Sequence, residues 1–128
     1  MKTKLFRTLD NFEIVVGMDD VSNDILSLQT AHPRDLWFHV NAVPGSHVIL
    51  KCGESGLLPG KENILLAASA AAWFSKMRNA GKVPVHYCYA ENVSKPKGAK
   101  AGTVNIKKSS KIIVWPDITK LRETENKE

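Results

Sequence analysis

The sequence predicts an α+β domain: a largely antiparallel sheet of about six to seven strands, with one long and one short helix packed on one of its faces. Three observations carry that expectation. Several short stretches alternate apolar and polar residues with period two, and one alanine-rich stretch has helical spacing instead. The elements also run strand, strand, helix, strand, strand, helix and then three strands, an order that suits hairpins better than repeated crossovers.

Lys4 to Thr8 and Phe12 to Val16 read as a hairpin joined by the turn-forming pair Asp10-Asn11. After Gly17, Ser22 stands as a capping residue ahead of Ile25, Leu26 and Leu28, which give a short helix one apolar side. Asp35 to Val40 is a strand with Leu36, Phe38 and Val40 on one face and Asp35, Trp37 and His39 on the other. Pro44-Gly45 turns the chain and Ser46 to Cys52 returns as a strand, so Asn41 to Gly45 closes a second hairpin. Gly53 to Gly60 reads as a loop. Lys61 to Ala80 is the long helix, ended by Gly81, and the alanines between Ala67 and Ala72 permit close approach to a sheet. Val85 to Tyr89 is a strand, Lys95 to Gly102 a loop, and Thr103 to Ile106 with Lys111 to Trp115 a final pair of strands. One domain is expected over residues 1–116, followed by a polar tail, residues 117–128, that frays.

At 128 residues, with 43% hydrophobic and 24% charged side chains, the chain is sized for one core rather than two packed domains. No apolar run reaches the roughly 18 residues of a membrane span. No apolar signal core follows Met1-Lys-Thr-Lys, so the expectation is a cytoplasmic protein with no membrane partner. A disulfide between Cys52 and Cys88 is disfavoured in that compartment, and both read as buried thiols. Two cysteines outside any C-x-x-C pair argue against a thiolate metal site. P-loop, dinucleotide and G-x-S-x-G signatures are absent, so no cofactor and no catalytic residue is assigned.

The net charge of +5 is not spread evenly. Six of the 18 Lys and Arg residues (Lys95, Lys97, Lys100, Lys107, Lys108 and Lys111) fall between Lys95 and Pro116 with no Asp or Glu among them, which leaves the remainder close to neutral. Localised positive charge fits a phosphate-bearing partner, and nucleic acid comes before membrane because no basic amphipathic helix accompanies it. Within this stretch Gly98 and Gly102 let backbone amides approach an anion that the lysines attract. A solvated lysine-rich loop is the plain alternative.

Asp35-x-Trp37-x-His39 is the sharpest motif, because period two sets a carboxylate, an indole and an imidazole in one row. Facing solvent, that row offers a flat surface on which a base or ribose stacks; buried, it is structural. Across the hairpin, His47 approaches His39, and with Asp35 the two histidines resemble a two-histidine, one-carboxylate metal set or an acid–base pair. Neither a metal nor a nucleophile is assigned there, since such a set needs convergent geometry.

Larger patterns join these pieces. Gly17 followed by Asn23-Asp24 and Leu26, then Asp35-Leu-Trp-Phe-His39, Pro44-Gly-Ser-His-Val-Ile-Leu50, Ala67-Ala68 with Ser75, Val85-His-Tyr, and Val93-x-Lys95-x-x-Gly98-x-x-x-Gly102-x-Val104 occur in this order. Together they resemble the NFACT-R domain, the RNA-binding module of the NFACT proteins of ribosome-associated quality control. The resemblance covers nearly the whole chain, although Asp19 stands where that family often has asparagine. It implies a grip on RNA, since NFACT proteins bind the split large ribosomal subunit and a transfer RNA and elongate the stalled peptide without a messenger. A chain of 128 residues leaves no room for the other domains of those proteins, so a stand-alone version without tail synthesis is expected.

The reading that follows is a non-catalytic module for structured RNA, transfer or large-subunit ribosomal, working beside a ribosome or a transfer-RNA-modification enzyme. Lys95, Lys97, Lys100, Lys107 and Lys108, with Gly98, would hold phosphate, and Asp35, Trp37, His39 and His47 would read a base or ribose. A small enzyme acting on RNA or a nucleotide through Asp35, His39 and His47 is the alternative, and a protein-interaction module is a further one.

Overall fold

A computed structural model describes residues 1–124. The elements are β1 (Thr3–Arg7), β2 (Glu13–Gly17), α1 (Asp20–Ile25), β3 (Leu36–Val40), β4 (Val48–Lys51), α2 (Gly60–Trp73), β5 (Val83–Tyr89), β6 (Val93–Ser94), β7 (Asn105–Ile106), β8 (Ser110–Val114) and β9 (Arg122–Thr124). A single wider π turn, Leu26–Thr30, continues α1. Seven strands form one antiparallel sheet in the order β8-β5-β3-β4-β2-β1-β9, and β6 with β7 makes a separate ribbon. The fold class is therefore the α+β arrangement expected.

The period-two reading of β3 holds residue by residue. Leu36, Phe38 and Val40 join Ile14, Val48 and Leu50 against Ala67, Ala68, Ala71 and Ala72 of α2. Those alanines are fully buried, and their small side chains let the helix lie close to the sheet. Trp37 faces the other way, into a second cluster with Val15, Ile49, Cys88 and Val93 that Leu26 covers. The short helix therefore packs on the opposite face from α2, not beside it as expected, because large apolar side chains on both faces each require a cover.

Four further boundaries differ from expectation. Asp19, not Ser22, caps α1: its Oδ1 accepts from Ser22 N at 2.7 Å, while the buried Ser22 hydroxyl accepts from Lys2 N at 2.7 Å. The long helix ends at Trp73 rather than Ala80, since Ser75 leaves it to form a bridge with Gly45 and Ser46 N bonds Phe74 O at 3.0 Å. A Cβ on Gly45 would stand 2.9 Å from Ser75 Cβ, so the approach needs a residue without a side chain. The last two expected strands do not pair with each other: β7 pairs with β6, and β8 with β5. Nor does the tail fray from residue 117, since Ile118 and Leu121 pack on the core and β9 pairs with β1; the rest of the expected tail, residues 125–128, lies outside the described residues.

Asp35 precedes β3 and is fully buried. Its Oδ1 accepts from Cys52 N at 3.0 Å and Gly53 N at 2.8 Å, and its Oδ2 from His32 N at 2.9 Å and Lys51 Nζ at 3.2 Å. One carboxylate thus ties the turn before β3 to the chain leaving β4. Removing it strands three buried or half-buried amides and an ammonium, so Asp35→Ala should cost about 3–5 kcal/mol of stability. Asp35→Asn, which keeps one oxygen for the Cys52 and Gly53 amides, should cost less. Urea denaturation checks both, and a loss under about 1 kcal/mol for the alanine variant would show that the carboxylate is not a structural tie.

Candidate nucleic-acid interface

Trp37 lies on the second face of the sheet and is only 3% exposed. An indole N–H can only donate, and here it reaches Ser27 Oγ at 2.9 Å. The Ser27 oxygen also lies 2.8 Å from His47 Nδ1. His47 is held further through its backbone: its N–H donates to Asn23 Oδ1 at 3.0 Å, and its carbonyl accepts from Gly17 N at 2.9 Å.

Register places His39 beside this network. The His39 ring is stacked with Trp37 at 5.9 Å and lies edge-on to His47 at 5.3 Å. In the neighbouring strand His86 pairs directly with His39. Trp37, His39, His47 and His86 line a cleft of about 240 Å³, closed on its other side by Gly102, Thr103, Val104 and Ile106. Burial pushes the His39 imidazole below the usual range, and it pushes His47 down to about 4, with the neighbouring His39 adding to the effect. At neutral pH the two rings are uncharged; His47 is buried with its Nδ1 against Ser27, whereas the His39 ring is only half-buried.

The lysine-rich loop, residues 95–102, borders the cleft through a clamp on α1. Asp24 Oδ2 pairs with Lys95 Nζ at 2.9 Å, and Asp24 Oδ1 accepts from Gly102 N at 3.0 Å. The same ammonium donates to Thr103 O at 3.0 Å and to Lys100 O. Gly102 has φ +87°, a left-handed conformation that suits glycine, and a Cβ there would stand 3.0 Å from Asp20 Oδ1. Gly98, also with positive φ, sits at the exposed tip, and Lys97, Lys100, Lys107 and Lys108 are exposed.

The residues singled out from the sequence thus divide in two. Trp37, His39 and His47 come together as the hairpin pairing implied, but the indole is covered and offers no open face. Asp35 does not join them: all its contacts lie at the other end of β3, and it borders a different cleft with Lys51 and Glu54. Among the described residues no group of three or more His, Cys, Asp or Glu is placed to hold a metal ion. Lys95 is occupied by Asp24 and backbone carbonyls, whereas the other four lysines project outward. Three participants went unassigned in the sequence reading. His86 joins the cleft through the pairing of β5 with β3, and Ser27 and Asp24 join through the placement of α1.

Burial of a neutral His47 makes stability depend on pH. The unfolded chain takes up a proton near pH 6.5 and the folded one only near pH 4, so the unfolded state binds more protons in between. Stability should therefore rise with pH across that window and fall on acidification from about 6.5 toward 4. In urea titrations at pH 7 and pH 5, His47→Gln should flatten this dependence by close to one proton. An unchanged slope would place the uptake elsewhere.

The fold has a counterpart among solved structures, and the sequence has relatives. Residues 2–108 match the NFACT protein RNA binding domain. The Rqc2 homolog RqcH of Bacillus subtilis (strain 168) is 35% identical over 112 residues, covering 88% of this chain and 19% of that protein. The protein of the same description from Streptococcus suis (strain 05ZYH33) is 36% identical over 109 residues, covering 85% of this chain and again 19% of its own length. The chain thus spans about a fifth of these relatives. A solved structure, the C-terminal part of a fibronectin/fibrinogen-binding protein from Streptococcus suis, superposes with a TM-score of 0.86 at 34% identity, over 94% of this chain and 47% of that one. Among the described residues no helix is long and apolar enough to cross a membrane. With a family match across most of its length, and with the clamped basic loop and histidine cleft in place, the chain belongs to the NFACT RNA-binding domain family.

Proposed function

We propose that the chain is a non-catalytic binding module for structured RNA, transfer or ribosomal, acting in the cytoplasm in ribosome-associated quality control. The observation that carries this reading is the Asp24–Lys95 clamp, which fixes an exposed basic loop against a cleft lined by three histidines. Lys97, Lys100, Lys107 and Lys108 contact phosphates, with Gly98 at the loop tip letting backbone amides approach them. His39 and His86 present ring nitrogens to a ribose or a base edge, within a cleft too small for more than part of a nucleotide. Trp37, His47 and Lys95 hold that surface in place from beneath rather than touching RNA, and Asp35 ties the chain at the other end of β3. The RqcH relatives support the quality-control context, and the larger ribosomal subunit with its transfer RNA is the setting in which such a module would work.

A protein partner is the second reading, because the solved relative is described as fibronectin/fibrinogen-binding. Salt separates the two. Binding to transfer RNA or ribosomal RNA should weaken steeply with salt, and replacing Lys97, Lys100 and Lys107 by alanine should reduce the log–log slope by about 2–3. Lys95→Ala should instead disorder the loop and lower affinity with a smaller change in slope per charge removed. Filter binding at several salt concentrations measures both, and a salt-insensitive interaction unchanged in the triple variant would favour the protein partner.

A further inference from the structure

On the opposite face of the sheet from the histidine cleft, a groove of about 650 Å³ runs between β5 and the first turn of α2. Tyr87 and Tyr89 wall it on the strand side, and Leu58 and Ile64 on the helix side. Three lysines line it, Lys61, Lys108 and Lys111, and among the described residues no carboxylate does. Both rings are braced by neighbours: Phe38 stacks with Tyr87 at 5.4 Å, and the Arg34 guanidinium lies 3.6 Å from the centre of Tyr89. Glu91, the acid nearest that guanidinium, is paired with it at 3.4 Å. Leu58 stands 87% exposed at the rim, an apolar side chain without a cover.

The groove is continuous with the basic surface already described. Ile106 of β7 lines the histidine cleft and Ser110 of β8 lines the groove, so the turn between them carries Lys107 and Lys108 around the end of the sheet from one to the other. Positive charge without acids selects an anionic occupant. Tyrosine rings along the wall favour flat, π-faced groups, and the volume suits one or two of them. An acidic peptide would match the charge but not the aromatic wall.

We propose that this groove holds one or two unpaired nucleotides of the same RNA whose phosphates meet the lysine loop. The proposal rests on the RNA-binding reading above and adds to it a preference for a single-stranded extension. Stacking on tyrosine tolerates any base, so the groove senses unpaired character rather than sequence.

The test is fluorescence anisotropy with two RNA hairpins of one sequence, one blunt and one carrying a 3′ overhang of about six uridines. The overhang should raise affinity about tenfold, and Lys61→Glu, on the helix side of the groove, should abolish that gain while leaving the blunt hairpin within about twofold. Replacing overhang uridines by 5-iodouridine should give photocrosslinks to Tyr87 or Tyr89. Equal affinity for the two hairpins, or equal weakening of both by Lys61→Glu, would overturn the groove assignment while leaving the loop intact. A fluorescent hexaglutamate peptide bound by the wild type and lost in Lys61→Glu, with no effect of the overhang, would overturn it in favour of an acidic peptide. Absence of binding to either hairpin would overturn the RNA reading itself, and the groove proposal with it.

Discussion

A buried indole needs a partner for its N–H, and in this fold that requirement propagates from the core to the surface. Trp37 fills the second face of the sheet, where an apolar lid alone would leave its nitrogen unpaired. Ser27 supplies the acceptor and its hydroxyl also bonds the His47 ring, so the segment carrying Ser27 sits at one height over the sheet. Leu26, the preceding residue, buries its side chain in the same cluster. Fixing that segment fixes the helix before it, and Asp24 on that helix then meets Lys95 and Gly102. The shape of an exposed loop is in this way inherited from a hydrogen bond in the interior.

This chain of dependence separates what the sequence states locally from what only tertiary structure decides. Side-chain alternation placed Phe38 and Trp37 on opposite faces correctly, and the turn at Pro44-Gly45 was enough to set His39 against His47. A strand pattern does not say what covers each face, which is why Trp37 could be read as a stacking platform. The alanine run likewise signals a helix without revealing its end, because the competitor is a bridge from Ser75 to Gly45, residues on separate elements. Pairing partners were equally hidden: β7 and β8 are neighbours in sequence yet belong to different sheets.

Counting lysines from the sequence gives the charge but not its distribution among tasks. Lys95 sits among five other lysines in an acid-free stretch, and nothing local marks it as different. Its partner lies 71 residues away. A partly buried ammonium that bonds a carboxylate and carbonyls is an architectural element, while its exposed neighbours keep their full field for a ligand. The same distinction applies to Asp35 and His39, two residues of one motif. The carboxylate closes a turn at one end of β3, and the imidazole opens into a cleft at the other.

The strand β9 carries an implication for how the fold is mounted. It lies beside β1, with Thr124 opposite Leu5, so the two ends of the described chain emerge at one corner of the sheet. That corner is at the far edge from β5 and β8, about 24 Å from β5 by five strand spacings of roughly 4.8 Å. A longer polypeptide carrying this fold, as in relatives where it spans 19% of the length, can splice it in at a single point without parting its flanking segments. The amino-terminal side of that corner lies against α1, where Lys2 N donates to Ser22 Oγ, so a segment entering the fold there runs beside the helix that clamps the lysine loop.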